Sequence, residues 1–429
     1  MGTIDRIASM SSLQCDVLVV GSGGAGMSAA VAARRDGATV VVVTKSALGA
    51  SNTGKAQGGI QAAVGADDST EAHFEDTLAA GHDDGRPELV RALVEDGPEA
   101  IAWLDGLGVE FAREDDAYRV IRCGGARCPR LLQSGERTGA EIVRALRGAV
   151  RASGAEIRES SALRDLVRID GGWEATVAGR DGPATISARC VVLAAGGGLS
   201  GEARARGIGS TNHSDATPEV LNLAIALGAE TVDLDSWQYH PTGSVWPEAL
   251  SGYALPETTR AHGATLHDAD GERFVDELAP RDVVAGAIVD VVAAGRGVVA
   301  PNGQPAVWLD TAAIDRANGA GFTAERLAYV TRRYAKAGID ITQERVLVYP
   351  VLHYRNGGLV IDPSGHTTLP GVYAAGEITG GVHGTNRLMG NSLLDTIVFG
   401  RRAGRAAAEE ARRGKRTADP AGTSQQPAR

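Results

Sequence analysis

Six residues near the start of the chain have the spacing of a phosphate-binding turn. The pattern G-x-G-x-x-G occurs at Gly21-Ser22-Gly23-Gly24-Ala25-Gly26. In such a pattern the first glycine allows a tight turn, the second lets backbone approach a pyrophosphate, and the third lets a helix pack on a strand. The N-terminus of the following helix would face the phosphates with its partial positive charge. The pattern predicts a dinucleotide site. The alternative is a glycine-rich turn in an unrelated α/β fold.

The segments around this turn have the patterns of a strand, a helix and a second strand. Residues 16–20 (DVLVV) are a short β-branched run, residues 25–36 follow as a helix, and residues 39–44 (TVVVVT) form the second strand. This order predicts a βαβ unit with a buried parallel sheet. The context therefore strengthens a glycine spacing that is weak by itself.

The sequence favours FAD over NAD as the dinucleotide. Many such folds carry an acid at the end of the second strand for the ribose, but here that strand ends Thr44-Lys45. Two further strands that run into glycine turns are predicted at 191–198 and 372–377. Distant parts of the chain that converge on one cofactor indicate a long ligand, as FAD is.

The predicted fold class is α/β: a Rossmann-like FAD-binding domain with an inserted α+β capping domain. Pro, charged residues and short irregular segments dominate from about 233 to 351, which marks the insertion. The predicted boundaries are 14–232 and 352–413 for the two parts of the FAD-binding domain, 233–351 for the capping domain and 414–429 for a disordered tail. The predicted helices are 71–80, 88–107, 138–153 and 392–413, and residues 157–169 and 173–178 are predicted as a hairpin.

The bulk composition limits the class of partner and the compartment. The chain has 429 residues and a formal charge of -10, which argues against nucleic acid and against an anionic membrane as partners. No secretory signal and no spanning segment is recognisable. Four cysteines in so long a chain do not make a disulfide framework. Cys123 and Cys128 indicate packing and not a metal site. The sequence predicts a reduced, cytoplasmic protein without a metal.

Three longer blocks of sequence resemble one family. The blocks are Ala56-Gln57-Gly58-Gly59, residues 277–284 (ELAPRDVV) and residues 383–388 (HGTNRL) with Asn391-Ser392-Leu393-Leu394 after them. Together they resemble the fumarate reductase, succinate dehydrogenase and L-aspartate oxidase flavoproteins, in the family's order, across residues 14–413. Residues 71–111 are most similar to the aspartate oxidase branch, and 380–384 (GGVHG) is equally similar to soluble fumarate reductases.

This resemblance implies an FAD site made of several short segments. The residues that match cofactor contacts of the family are Gly21, Gly23, Gly24, Ala25 and Gly26 in the phosphate turn, Thr44 and Lys45 after the second strand, Asn52, Thr53, Gln57, Gly58 and Gly59 along the isoalloxazine, Glu377 at the sugar chain, and Asn391, Ser392 and Leu393 at the pyrimidine end. Glu219 stands at the position of a family Asp, although Val220 replaces the Gly that follows it. Asn52 stands where covalent members have the His that bonds the flavin. The resemblance therefore implies non-covalent FAD, because an amide cannot make that link.

The resemblance also implies a substrate pocket for a carboxylate. His240 and His353 match substrate histidines, and Arg387 matches an arginine that grips a carboxylate, for which a planar guanidinium is suited. Arg281 matches the residue that exchanges a proton with the substrate carbon. Arginine is a poor base at its usual pKa above about 12, and Glu257 and Arg260 match a relay that would help it. The alternatives are purely structural histidines and a salt bridge from Arg281 to Asp282 or Glu277.

Departures from the family's pattern concern the substrate. Pro256 replaces the usual Thr before the relay Glu, which removes one hydroxyl contact. Cys123 stands where aspartate oxidases have a Glu thought to select the amino acid, and a neutral Cys cannot pair with an ammonium. The family members that pass electrons to an iron-sulfur subunit continue into a helical domain, and nothing ordered is predicted after 413. We therefore expect oxygen or another small electron acceptor, and no iron-sulfur subunit.

Three hypotheses of function follow. The first is an L-aspartate oxidase-like FAD oxidase or dehydrogenase acting on a small amino- or dicarboxylic acid. The second is a fumarate-type reductase, which adds a hydride and a proton to an activated alkene. The third, from another class, is a flavin-binding protein without catalysis. Steroid dehydrogenation is disfavoured, because Arg387 and the two histidines do not suit an apolar pocket.

Overall fold

A buried parallel sheet lies at the centre of the molecule. The computed structural model describes residues 12–135, 137–180 and 182–418; the end of the predicted tail lies outside these ranges. The first strand, Ser12–Val20, pairs in parallel with Val40–Val43 on one side and with Gly182–Leu193 on the other. The helix Gly24–Arg35 connects the first two strands. The predicted strand–turn–helix–strand unit is confirmed.

The sheet continues beyond these three strands. Glu156–Arg158 pairs in parallel with Val40–Val43, and Val372–Ala374 pairs in parallel with the end of Gly182–Leu193. Ala162–Ile169 and Gly172–Gly179 form the predicted antiparallel hairpin at the edge. The predicted strand 157–169 is, however, two strands, because its first residues belong to Glu156–Arg158 in the parallel part of the sheet. The smaller strands are Ile60–Gln61, Leu131–Leu132 and Val120–Ile121 in one sheet, Arg113–Glu114 with Ala117–Tyr118, and Thr231–Val232 with Gly358–Leu359.

The described part of the chain outside the inserted segment contains helices, of which Gly24–Arg35 and Asn391–Ala418 pack on the central sheet. Their bounds are Gly24–Arg35, Asn52–Lys55, Thr70–Ala80, Pro87–Glu95, Gly97–Gly106, Thr138–Ala152, Leu199–Arg206, Glu219–Ala226 and Asn391–Ala418. The helix Asn391–Ala418 packs against Gly24–Arg35 at two glycine positions, Gly400 and Gly404. A Cβ on Gly400 would lie 2.5 Å from the carbonyl oxygen of Ala25, and one on Gly404 would lie 2.2 Å from that of Ala29. The two backbones can approach this closely because both positions lack a side chain.

The inserted segment, predicted as residues 233–351, has its own sheet and its own hydrophobic core, and the last strand of this sheet, Val346–Arg355, crosses the predicted boundary. The strands Trp237–Ser244, Val346–Arg355, Pro305–Asp310 and Thr265–His267 pair antiparallel in this order, and Val298–Val299 joins Pro305–Asp310. The helical elements are Glu248–Leu250, Thr258–Ala261, Arg281–Ala293, Ala312–Asn318, Phe322–Arg326 and Ala328–Ala335. Buried residues from Leu250 to Val348 form a cluster separate from the main core. The α/β fold class with an inserted α+β part is confirmed.

Further predicted boundaries differ from the structure. The segment 88–107 is two helices, Pro87–Glu95 and Gly97–Gly106, because Pro98 has no N–H to continue the first helix and suits the first turn of the second. The first strand begins at Ser12, two residues before the predicted domain start. The last helix continues to Ala418, into the segment predicted as a tail.

Candidate active site

The carboxyl ends of four parallel strands open onto one cleft. The strands end at Val20, Val43, Leu193 and Ala374, and the residues directly after each of them line a cavity of about 820 Å³. Ligands of open α/β sheets bind at this edge because the turns after the strands converge there. The cleft continues between the sheet and the inserted segment, and its volume is in the range of cofactor sites.

The glycine turn has the close backbone contacts that its spacing predicts. Gly21 has a φ of +109°, and a Cβ there would lie 2.2 Å from the carbonyl oxygen of Ala194. A Cβ on Gly26 would lie 2.0 Å from the carbonyl oxygen of Gly21, so this glycine supports helix packing and does not line the cleft. Gly23, Gly24 and Ala25 do line it. Backbone is therefore exposed to a ligand at the start of Gly24–Arg35, where the helix dipole favours phosphate.

The loop predicted along the isoalloxazine lies beside this turn. The hydroxyl of Thr53 accepts a hydrogen bond from the Gly24 N–H at 3.0 Å. Asn52 Nδ2 donates to Glu377 Oε2 at 3.2 Å and to Asn212 Oδ1 at 2.7 Å. Asn52 and Glu377 are 325 positions apart in the sequence, and burial raises the pKa of the Glu377 carboxyl. The structure therefore brings two predicted cofactor residues together.

Other predicted cofactor residues line the same cleft. Gln57 accepts a hydrogen bond from the Tyr253 hydroxyl at 2.6 Å, which links the loop to the inserted segment. Lys45 Nζ lies 3.4 Å from Glu219 Oε2, and the Thr44 hydroxyl accepts from Ser22 at 2.9 Å. The remaining members that line the cleft are Gly58, Gly59, Ser392 and Leu393.

Asn391 does not line the cleft, although it was predicted as a cofactor residue. Its side chain is buried and faces away from the ligand space. Its Oδ1 lies 2.8 Å from His73 Nε2, and its Nδ2 donates to the Thr77 hydroxyl at 2.9 Å. Asn391 thus anchors the start of the last helix, which presents Ser392 and Leu393 to the cleft.

The predicted substrate residues meet at the other end of the cleft. The rings of His240 and His353 are 5.2 Å apart between centroids, and His353 Nδ1 lies 2.7 Å from the Thr211 hydroxyl. The guanidinium of Arg387 stacks 4.3 Å from the centre of the Tyr354 ring. His240, His353 and Arg387 come from three distant segments and line one wall. They can present donors to an anion.

Arg281 and its predicted relay are in contact. Arg281 Nε donates to Glu257 Oε2 at 2.8 Å, and the same oxygen lies 3.5 Å from Arg260 Nη2. Arg281 and Glu257 line the cleft, whereas Arg260 lies behind them with its side chain fully buried. The alternative partners of Arg281 are engaged elsewhere: Glu277 pairs with Arg273, and Asp282 pairs with His82.

Gln238 completes this arrangement and was not predicted. Its Oε1 accepts from Arg281 Nη1 at 3.1 Å and from Arg387 Nη2 at 3.0 Å. Its Nε2 donates to Asn386 Oδ1 and to the Arg387 carbonyl, both at 2.8 Å. The neutral amide of Gln238 therefore holds the guanidiniums of Arg281 and Arg387 in position without neutralising their positive charges. Its position two residues before His240 on Trp237–Ser244 was the available signal.

The electrostatics of this wall favour an anion. Burial and Arg281 lower the pKa of Arg387 to about 10. Burial and the nearby arginines hold the pKa values of His240 and His353 well below the usual histidine range, so both rings are neutral at pH 7. Burial alone would raise the pKa of Glu257, but Arg281 and Arg260 hold it below its usual value. Within the described residues, no carboxylate lies at ion-pair distance from Arg387.

These observations fit a flavin dinucleotide. The exposed backbone at the glycine turn suits a pyrophosphate, and the cleft is long enough to join that turn to an anion pocket. The fold and the site thus define a dinucleotide-dependent redox flavoprotein. The family model described as FAD binding domain matches residues 16–393. The chain belongs to this family, in the group of the fumarate reductase and L-aspartate oxidase flavoproteins, and it is an FAD-dependent oxidoreductase.

Curated relatives and solved structures support this membership. The chain is 36% identical to the corresponding subunit of the CoM/CoB fumarate reductase of Methanothermobacter marburgensis, over 93% of its length and 73% of that protein. It is 38% identical to the L-aspartate oxidase of Streptomyces coelicolor over 91% of its length and 68% of that protein. Among solved structures, an E. coli quinol fumarate reductase FrdA gives a TM-score of 0.86 at 29% identity, covering 94% of this chain and 71% of that one.

No helix in the part of the chain that the structure describes has the length and apolar character needed to span a bilayer.

Proposed function

We propose that this protein oxidises a small amino- or dicarboxylic acid next to a carboxylate, as an L-aspartate oxidase-like enzyme. The observation that carries the proposal is the convergence of Arg281, Arg387 and two neutral histidines on the cleft that holds the glycine turn. FAD, when bound non-covalently, supplies a two-electron acceptor for the hydride. The residues of the chain bind the acid and remove its proton.

Arg387 and the histidines would hold one carboxylate of the substrate. A planar guanidinium fixed by Gln238 and stacked on Tyr354 can make two parallel hydrogen bonds to a carboxylate. His240 and His353 remain neutral and can donate from one ring nitrogen each. This clamp would orient the carbon that loses its hydride.

Arg281 would exchange the proton. Oxidation of a C–N bond removes a hydride from carbon and a proton from nitrogen, and oxidation of a C–C bond removes a hydride and a proton from adjacent carbons. Glu257 contacts both Arg281 and the buried Arg260. This chain of charges would carry the proton away from the closed part of the cleft.

Reduction of an activated alkene is the second candidate. Cys123 lies buried among Ile121, Leu131 and Met389, and burial keeps the pKa of its thiol well above the usual value. Cys123 does not line the cleft, and an uncharged thiol at the position of the family Glu gives an ammonium no ion-pair partner. Of the acids named in the proposal, the observation favours those without an ammonium group over aspartate. It therefore supports a fumarate-type substrate as well as a succinate-type one.

A substrate panel tests the proposal and separates the candidates. The purified flavoprotein would be mixed anaerobically with amino acids, monocarboxylic acids and dicarboxylic acids while flavin absorbance is followed. Bleaching by aspartate or succinate supports oxidation. Bleaching by none of these, with reoxidation of dithionite-reduced protein by fumarate, supports the reductase. A flavoprotein that responds to no acid in either direction contradicts both.

A further inference from the structure

Five cations line the cleft apart from the arginines of the substrate wall: Lys45, Lys55, Arg137, Arg164 and Arg333. Three of them, Lys55, Arg137 and Arg333, are close enough for the two arginines to lower the pKa of Lys55, whereas Lys45 pairs with Glu219. Lys55 ends the short helix Asn52–Lys55, and Arg137 directly precedes Thr138–Ala152. Arg333 lies on Ala328–Ala335 in the inserted segment. All three line the cleft, and Lys55 is the most exposed. We call Lys55, Arg137 and Arg333 the rim cluster. It is built from both parts of the protein.

The charges of the rim cluster are not neutralised by carboxylates of the described residues. Lys55 Nζ donates to the carbonyls of Thr211 and Asn212, at 2.6 and 3.0 Å. Arg137 donates to the Gly54 carbonyl at 2.7 Å, and Arg333 donates to the Tyr329 hydroxyl at 3.3 Å. The Nε atoms of both arginines are buried without a hydrogen-bond partner. Each cation therefore keeps its charge and has donors to spare.

The three cations also act on one another. Burial lowers the pKa of the Lys55 ammonium, and Arg333 and Arg137 lower it further by repulsion. The acids that line the cleft have other partners: Glu257 with Arg281, Glu377 with Asn52, Asp215 with Ser46, and Glu219 with Lys45. A local excess of positive charge in a chain of formal charge -10 is a focused attraction for small anions.

Aromatic rings hold the rim arginines in place. Arg333 stacks 4.3 Å from the centre of the Tyr253 ring, and Arg137 lies 5.3 Å from that of Tyr329. Tyr253 in turn donates to Gln57 across the cleft. Preorganised guanidiniums lose little side-chain freedom when an anion binds.

The rim cluster is connected to the substrate wall through one residue. Thr211 accepts from Lys55 through its carbonyl and contacts His353 Nδ1 through its hydroxyl, at 2.7 Å. Lys55 is close enough to His353 to lower the pKa of that ring, after burial, Arg281 and Arg387. An anion bound by Lys55 would therefore lie near His353, which lines the substrate wall together with Arg387.

We propose that the rim cluster is a second anion-binding subsite, distinct from the Arg387 clamp, that takes a small oxyanion of the carboxylate or phosphate class. The subsite concentrates oxyanions at the exposed part of the cleft and gives an incoming anionic substrate its first contact. The role as first contact rests on the anionic substrate proposed above, whereas binding of an oxyanion at the rim cluster is measured without turnover and can fail or hold independently of it.

Calorimetric titration of the FAD-loaded protein with inorganic phosphate tests this subsite. The Arg387→Gln background removes the clamp, so that a remaining isotherm reports the rim. In this background, Lys55→Gln and Arg333→Gln are each expected to weaken phosphate binding about fivefold, the effect of losing one partly exposed ion pair. The matched control is Lys336→Gln, which removes an exposed cation directly after the same helix as Arg333, outside the cleft. It is expected to leave the isotherm unchanged.

Three results would overturn the proposal. The first is the absence of phosphate binding in the Arg387→Gln background. The second is equal binding in all variants, including Lys55→Gln and Arg333→Gln. The third is loss of FAD from the rim variants with unchanged phosphate affinity, which would assign these cations to the cofactor. A competing titration with acetate identifies the source of the oxyanion: displacement of phosphate indicates a substrate carboxylate, and no displacement indicates a phosphate-type ion.

Discussion

Glu257→Gln is the substitution that most directly separates charge from shape at the proton relay. Glu257 Oε2 lies 2.8 Å from Arg281 Nε and 3.5 Å from Arg260 Nη2, and Oε1 accepts from the Gly124 N–H at 3.1 Å. A glutamine of the same shape can keep the Gly124 contact but brings no charge. Two buried guanidiniums would then lose their shared counter-ion.

The size of the effect follows from these contacts. Each ion pair has a gross Coulomb energy of roughly 4–6 kcal/mol at an effective dielectric constant of about 20. Removing one member of a buried pair costs about 3–5 kcal/mol net. Over 429 residues, an unfolding entropy of about 2.1 cal/mol/K per residue amounts to about 0.9 kcal/mol/K, so Tm should fall by about 3–6 °C. Proton transfer should slow by about 10²–10⁴-fold.

The assay combines thermal unfolding with anaerobic rapid mixing of the FAD-loaded protein and the best acid of the panel. Glu277→Gln is the control, because Glu277 is also buried and paired with an arginine, Arg273, but lies outside the cleft. The control should lose stability and keep its rate of flavin reduction. A Glu257→Gln protein that reduces its flavin as fast as the unmodified protein would refute the relay.

Two further outcomes are expected. Gly21→Ala should abolish FAD binding, since its Cβ would lie 2.2 Å from the Ala194 carbonyl oxygen. The control Gly37→Ala, at a φ of +84° with open space around it, should keep flavin absorbance and cost about 1 kcal/mol in stability. Equal FAD content in the two variants would contradict the role of the glycine turn. Burial lowers the pKa of His73 to about 4, so below pH 6.5 the unfolded chain binds a proton that the folded chain does not. Stability should therefore fall as pH decreases from 6.5 to 4, by up to about 1.4 kcal/mol per pH unit for this group. His73→Gln should flatten the pH dependence of urea unfolding, and an unchanged slope would speak against the buried neutral ring.

The elements that position the cofactor could be predicted because their signals are local. A β-branched run, a glycine turn and a helix occupy Ser12–Val20 through Gly24–Arg35 without a gap. The requirement for glycine at Gly21 follows from one backbone contact and one positive φ. The relay at Glu257 was implied by resemblance; Glu257 contacts both Arg281 and Arg260 in the structure, and its role as a relay stays a prediction.

The features of the site that could not be predicted from the sequence depend on tertiary packing. Gln238 carries no charge and no nucleophile, and its role arises only when Arg281 and Arg387, 43 and 149 positions away, are brought to the same oxygen. Asn391 lies in a segment that does border the cleft, but His73, 318 positions away, turns its side chain inward. The division at Asp96 between two helices has, by contrast, a local signal in the sequence, the pair Gly97-Pro98.

The affinity of the FAD-loaded protein for an unreactive dicarboxylate, such as malonate, measures the central claim most directly. The central claim is that Arg387, His353 and His240 converge beside the flavin site and bind an anion there. Titration should perturb the flavin spectrum with a saturable isotherm, and Arg387→Gln should weaken binding by about 10–100-fold, as for a lost bidentate, partly desolvated contact. A saturable perturbation of equal affinity in the Arg387→Gln protein, or no perturbation in the unmodified one, would contradict the account.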